Sequence, residues 1–100
     1  MSSSFEIFKT MVASTAHCEE YDFDAIRTFP DIFSYEKDDY GMSIYLGHDD
    51  VESGFLKEIS GLRISEGLRM LILFAIFNQC LWLKLDSDGP IYDKFPTYEW

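Results

Sequence analysis

The longest uninterrupted apolar run in this chain covers residues 70–77, and everything else in the fold must accommodate it. Eight residues fall far short of the roughly 20 that a membrane-crossing helix requires, so the run reads as part of a packed domain. Ser65 suits an N-cap, and the spacing predicts a helix from Glu66 to about Gln79. Leu68, Leu71, Ile72, Ala75 and Ile76 fall on one face of it, while Met70, Leu73, Phe74 and Phe77 fill much of the remainder. A helix apolar nearly all round has to be covered on more than one side, by a sheet and by something else. Met70, Leu73, Phe74 and Phe77 are therefore candidate self-association residues, unless loops of the same chain wrap them.

The rest of the chain supplies the sheet. Residues 5–13 alternate and are rich in aromatic and β-branched types, which predicts a first strand, with Ser14-Thr15 as a turn or helix cap. From His17 to Thr28 the acids come first, and Tyr21, Ala25 and Ile26 recur at helical spacing; acids at a helix N-terminus complement its dipole, and Pro30 stops the element. Residues 32–36 and 42–46 are short β-prone runs around Lys37-Asp38-Asp39-Tyr40-Gly41, the chemistry of a hairpin. A polar loop over 47–54, a short helix over 55–60, the main helix, a strand over 81–85, an Asp-Ser-Asp-Gly turn and a candidate last strand from Pro90 complete the order. This is β-α-β-β-α-β(β): one small α+β domain with an antiparallel or mixed sheet and helices on one face, in a ferredoxin-like or split β-α-β layout.

Charge narrows the function. Eighteen acids face eight bases, a net charge of −10. Residues 1–60 carry −9 of it and residues 61–100 only −1. The bases are scattered singly, whereas direct nucleic-acid binding needs a clustered basic face; nucleic acid and anionic membrane are excluded as partners. An acidic field attracts basic surfaces instead, over about a Debye length. Glu19, Glu20, Asp22, Asp24, Glu36, Asp38, Asp39, Asp49, Asp50 and Glu52, with Tyr40 as an aromatic anchor, are the candidate partner-binding residues; Tyr21 and Tyr45 are further candidate anchors.

Catalytic and metal signatures are weak. There is no Gly-rich phosphate loop, nucleophile elbow or HExxH. His17-Cys18 beside Glu19-Glu20 offers types that ligate metals or form a thiol–base pair, but adjacent residues project differently, and His48 lies in an unrelated loop. Asp86-Ser87-Asp88-Gly89 begins like a calcium loop and lacks its later ligands, so it reads as a turn. No cofactor, metal or catalytic residue is expected. Two cysteines without paired spacing, and an N-terminus without a basic and then long apolar stretch, suggest a reduced, cytoplasmic setting.

The segment Cys80-Leu81-Trp82-Leu83-Lys84-Leu85, then Asp86-Ser87-Asp88-Gly89, then Phe95-Pro96-Thr97-Tyr98-Glu99-Trp100 resembles the ending of a family of small uncharacterised bacterial, plasmid and phage proteins. The Ser14-Thr15-Ala16-His17 tetrad is similar to one in the same family. The resemblance brings no catalytic residue with it. What it implies is a context, a mobile element inside a host cell, where small acidic proteins block defence machinery as anti-CRISPR and anti-restriction proteins do. Two expectations follow: a non-enzymatic inhibitor that occupies a basic surface of a host nucleic-acid-processing or defence complex, or a structural or accessory protein that pairs with its own copy through helix 66–79.

Overall fold

The computed structural model describes residues 8–47 and 54–99. Among them the chain runs β1 (Thr10–Ser14), a 3-10 turn (Thr15–His17), α1 (Glu20–Thr28), β2 (Tyr35–Lys37), β3 (Gly41–Tyr45), α2 (Leu56–Ser60), α3 (Glu66–Phe77) and β4 (Trp82–Asp86). The sheet has four strands in the order β1-β4-β3-β2, with β1 parallel to β4 and the other two pairs antiparallel. The α+β class and the mixed sheet are as the sequence predicts.

The layout differs from the ferredoxin-like or split β-α-β expectation. β1 lies at an edge, and β4 enters the interior beside it, in register from Thr10 opposite Trp82 to Ser14 opposite Asp86. The segment after Pro90, a candidate fifth strand, is not one. It runs along the outer edge of β1, and its polar groups are taken up otherwise: Ser14 donates to the Pro90 carbonyl and Tyr98 to the Ala16 carbonyl, both at 2.8 Å.

Alternation decides which face of the sheet is dry. Ala13, Met42, Ile44, Leu83 and Leu85 are buried, whereas Ser43, Tyr45, Trp82 and Lys84 are half-buried on the opposite face. Phe23 and Ile26 of α1, Ile59 of α2, and Leu68, Leu71, Ile72 and Ala75 of α3 join the strand residues in one hydrophobic cluster. The helices thus cover the one inner face. Close approach is built in at two glycines: a Cβ on Gly41 would lie 1.8 Å from the Leu85 carbonyl oxygen, and one on Gly67 would lie 2.0 Å from that of His17.

Both ends of α3 are closed by local chemistry. The Ser65 hydroxyl accepts from the Leu68 N–H at 3.1 Å, the N-cap bond. At the other end Gln79, with φ of 61°, takes the left-handed position, while Gln79 donates to the Ile76 carbonyl and Cys80 to that of Ala75. That pair of bonds is a Schellman motif with a non-glycine residue in the glycine position.

Candidate interaction surfaces

The β2–β3 hairpin turns on Asp38. Its Oδ1 accepts from the N–H groups of Tyr40 and Gly41 at 2.8 and 2.9 Å. Those bonds, the Tyr40 one foremost, together with the Lys84 ammonium, hold the Asp38 carboxyl below the usual carboxylate range. Lys84 reaches Asp38 at 3.5 Å and Asp86 at 3.7 Å, so one cation on the outer sheet face faces two carboxylates.

Register gathers further acids at the same end of the sheet. Gly41 and Ser14 both lie opposite Asp86, which places the tip of the hairpin beside the turn that follows β4. Ser87 donates to the Tyr40 carbonyl at 2.8 Å, and Asp86 Oδ1 accepts from the Asp88 N–H at 2.9 Å. Ser87 also lines a shallow cleft with Glu20, Phe23 and Arg27 of α1. Asp38, Asp39, Asp86, Asp88 and Glu20 therefore cluster around one rim, with Tyr40 standing 59% exposed among them. Sequence reasoning missed Asp86 and Asp88, reading them only as turn formers; the pairing of β3 with β4 is what carries them to the hairpin.

The other candidate acids are dispersed or engaged. Asp22 is fully buried and is no part of any docking surface, contrary to expectation. Its carboxylate accepts from the Glu19 N–H at 2.7 Å, from the Ser65 N–H at 2.6 Å and from the Ser65 hydroxyl, clamping the N-terminus of α1 to that of α3. Asp24 forms an exposed ion pair with Arg27 at 2.7 Å, Glu19 is half-buried, and Glu36 is exposed on β2. Asp49, Asp50 and Glu52 lie outside the described residues. Of the other anchors, Tyr21 lies under the Arg63 guanidinium, and Tyr45 is half-buried against Trp82 with ring centres 5.2 Å apart.

His17 and Cys18 are both buried at the end of the 3-10 turn. Tyr92 donates its N–H to His17 Nε2 at 2.9 Å, so that nitrogen must carry the lone pair, and Nδ1–H donates to the Pro96 carbonyl at 2.8 Å. The ring ties two points of the C-terminal segment to the 3-10 turn, stacking on Tyr92 with centres 6.0 Å apart and meeting Phe95 edge-on at 5.8 Å, while Tyr92 and Phe95 also meet each other at 6.1 Å. Cys18 is buried, and burial first, with the Asp22 charge second, pushes its thiol far up, away from thiolate chemistry near neutral pH. No group of three or more His, Cys, Asp or Glu among the described residues is placed to hold a metal ion.

A second surface lies on α3. Leu73 and Phe74 are 45% and 37% exposed and Phe77 86%, while the opposite face of the helix is buried. With Met70, Lys94 and Phe95 they line an open, almost wholly apolar groove of about 460 Å³. Lys94 stands 4.7 Å over the Phe74 ring, and Phe95 meets the same ring edge-on at 5.5 Å. Among the described residues the cover of α3 is thus incomplete: the sheet takes one face, Phe95 part of another, and the stripe ending at Phe77 stays open.

Against known proteins, residues 10–100 match the C-terminal domain of a family of unknown function, DUF5983. The chain belongs to this family. No curated protein and no solved structure matches it. Among the described residues no helix is long and apolar enough to cross a membrane.

Proposed function

We propose that this DUF5983 domain is a non-enzymatic binding protein that docks through its acidic sheet end on a basic protein surface, as an inhibitor of a nucleic-acid-processing or defence complex of the anti-CRISPR or anti-restriction type. The observation that carries the reading is the gathering of Asp38, Asp39, Asp86 and Asp88 around the exposed Tyr40. A protruding tyrosine is a residue type enriched in interface hot spots, where its ring supplies burial, and carboxylates around it steer a basic partner. The pairing of Lys84 with Asp38 and Asp86 holds two of the acids in place rather than neutralising the rim, since Asp39, Asp88 and Glu20 are exposed around it.

The test is capture of partners from nuclease-treated bacterial lysate by the tagged domain and by a variant carrying Asp38→Lys, Asp39→Lys and Asp88→Lys. The reading expects a nucleic-acid-binding complex that is retained by the native chain and absent with the reversed rim. Equal capture by both chains overturns it.

A second reading is favoured by the open stripe on α3: the domain is a structural or accessory protein that pairs with a copy of itself. A molar mass of one chain at every concentration in light scattering would contradict that reading.

A further inference from the structure

Resting on the second reading, we propose that the occupant of the α3 groove is the α3 helix of a second copy, packed antiparallel about a two-fold axis that passes beside Leu73 and Phe74. Met70, Leu73, Phe74 and Phe77 stand at i, i+3, i+4 and i+7, the four corners of the hole into which a facing helix inserts a side chain. A groove with that spacing fits a helix better than an extended peptide. The same stripe carries its own knobs, because Leu73 and Phe77 protrude from it. Knob and hole on one surface are what a two-fold pair requires, each copy filling the other with one patch.

Charge permits this partner in particular. The four corner residues are uncharged, Lys94 at the groove is held over the Phe74 ring, and residues 61–100 carry only −1 of the net charge of −10, so little like charge opposes two copies meeting at α3. Area sets the strength. An aromatic side chain offers on the order of 150–250 Å², so the exposed fractions here supply roughly half of the ~800 Å² per partner typical of a specific complex. A contact of that size belongs with weak, reversible pairs.

Antiparallel packing about that axis sets Met70 of one copy against Phe77 of the other, twice. Sedimentation velocity over a concentration series tests this on the native chain and on M70K, F77E and the M70K/F77E combination, with thermal melting as the control for folding. Phe77 is largely solvated, so F77E should fold as the native chain does. The expected result is a native dimer, a loss of affinity of about tenfold or more in each single variant, and recovery in the combined variant, where each new lysine faces a new glutamate. A native chain that stays monomeric at its highest soluble concentration overturns both the inference and the self-association reading. A dimer that F77E leaves intact removes α3 as the interface. A dimer that both single variants weaken and the combination does not rescue overturns the antiparallel pairing while self-association stands.

Discussion

Asp22 and Ser65, forty-three residues apart, are joined by two hydrogen bonds at the point where the N-termini of α1 and α3 meet. The Ser65 N–H and hydroxyl both donate to the buried carboxylate, and the same hydroxyl accepts from Leu68. One side chain thus starts α1 and fixes where α3 begins. Replacing it leaves several buried donors unmet, each costing about 1–3 kcal/mol. Asp22→Ala should destabilise the domain by about 3 kcal/mol in chemical denaturation, and Asp22→Asn by less, since an amide oxygen can still accept. A loss under about 0.5 kcal/mol for Asp22→Ala would contradict the clamp.

How much of this could be read from the chain follows from how local each feature is. The Ser65 cap, the hairpin at Asp38-Gly41 and the length of α3 are set by neighbours in sequence, and all appear near their predicted places. Asp22 gives no such signal: in a run with Glu19, Glu20 and Asp24 it looks solvated, and only the arrival of Ser65 from far along the chain turns it inward. The same holds for the sheet order and for the acidic rim. Both depend on β4 pairing with β1 and β3 at once, a non-local choice that periodicity within each strand does not encode.

The His17 latch makes a separate claim about the C-terminal segment. His17→Ala removes the acceptor for Tyr92 and the donor to Pro96, and should release residues 90–99 from the edge of β1 more than it loosens the sheet. Hydrogen exchange at the Tyr92 and Tyr98 amides should rise by at least tenfold while that of Leu83 and Leu85 changes little. Uniform acceleration everywhere would make His17 a general core residue instead.

Gln79 offers a stabilising change. A non-glycine residue in the left-handed conformation costs roughly 1 kcal/mol, so Gln79→Gly should raise stability by up to about that amount. Thermal melting would show it as a higher Tm; a fall would mean that the Gln79 side chain contributes a contact outweighing the backbone relief.

Acid pH should loosen the hairpin tip before the core. Because the folded carboxyl of Asp38 is held below its ordinary value, the unfolded chain binds this proton more readily, so the stabilisation is present above the ordinary carboxylate pKa and is lost as pH falls through the lowered one. The Tyr40 and Gly41 amide resonances should move together as that carboxyl protonates, and Asp38→Asn should abolish the pH response. A response unchanged in the variant would assign the titration to another acid.

On the proposed function, the acidic sheet end is the surface that meets a partner. The most direct measurement is a titration of the purified captured complex, by calorimetry, with three forms of the domain: native, reversed at Asp38, Asp39 and Asp88, and carrying F77E. The native and F77E forms should bind with like affinity, salt should weaken both, and the reversed form should not bind. Binding retained by the reversed rim and lost with F77E would contradict it, and would make the α3 groove the partner-binding face.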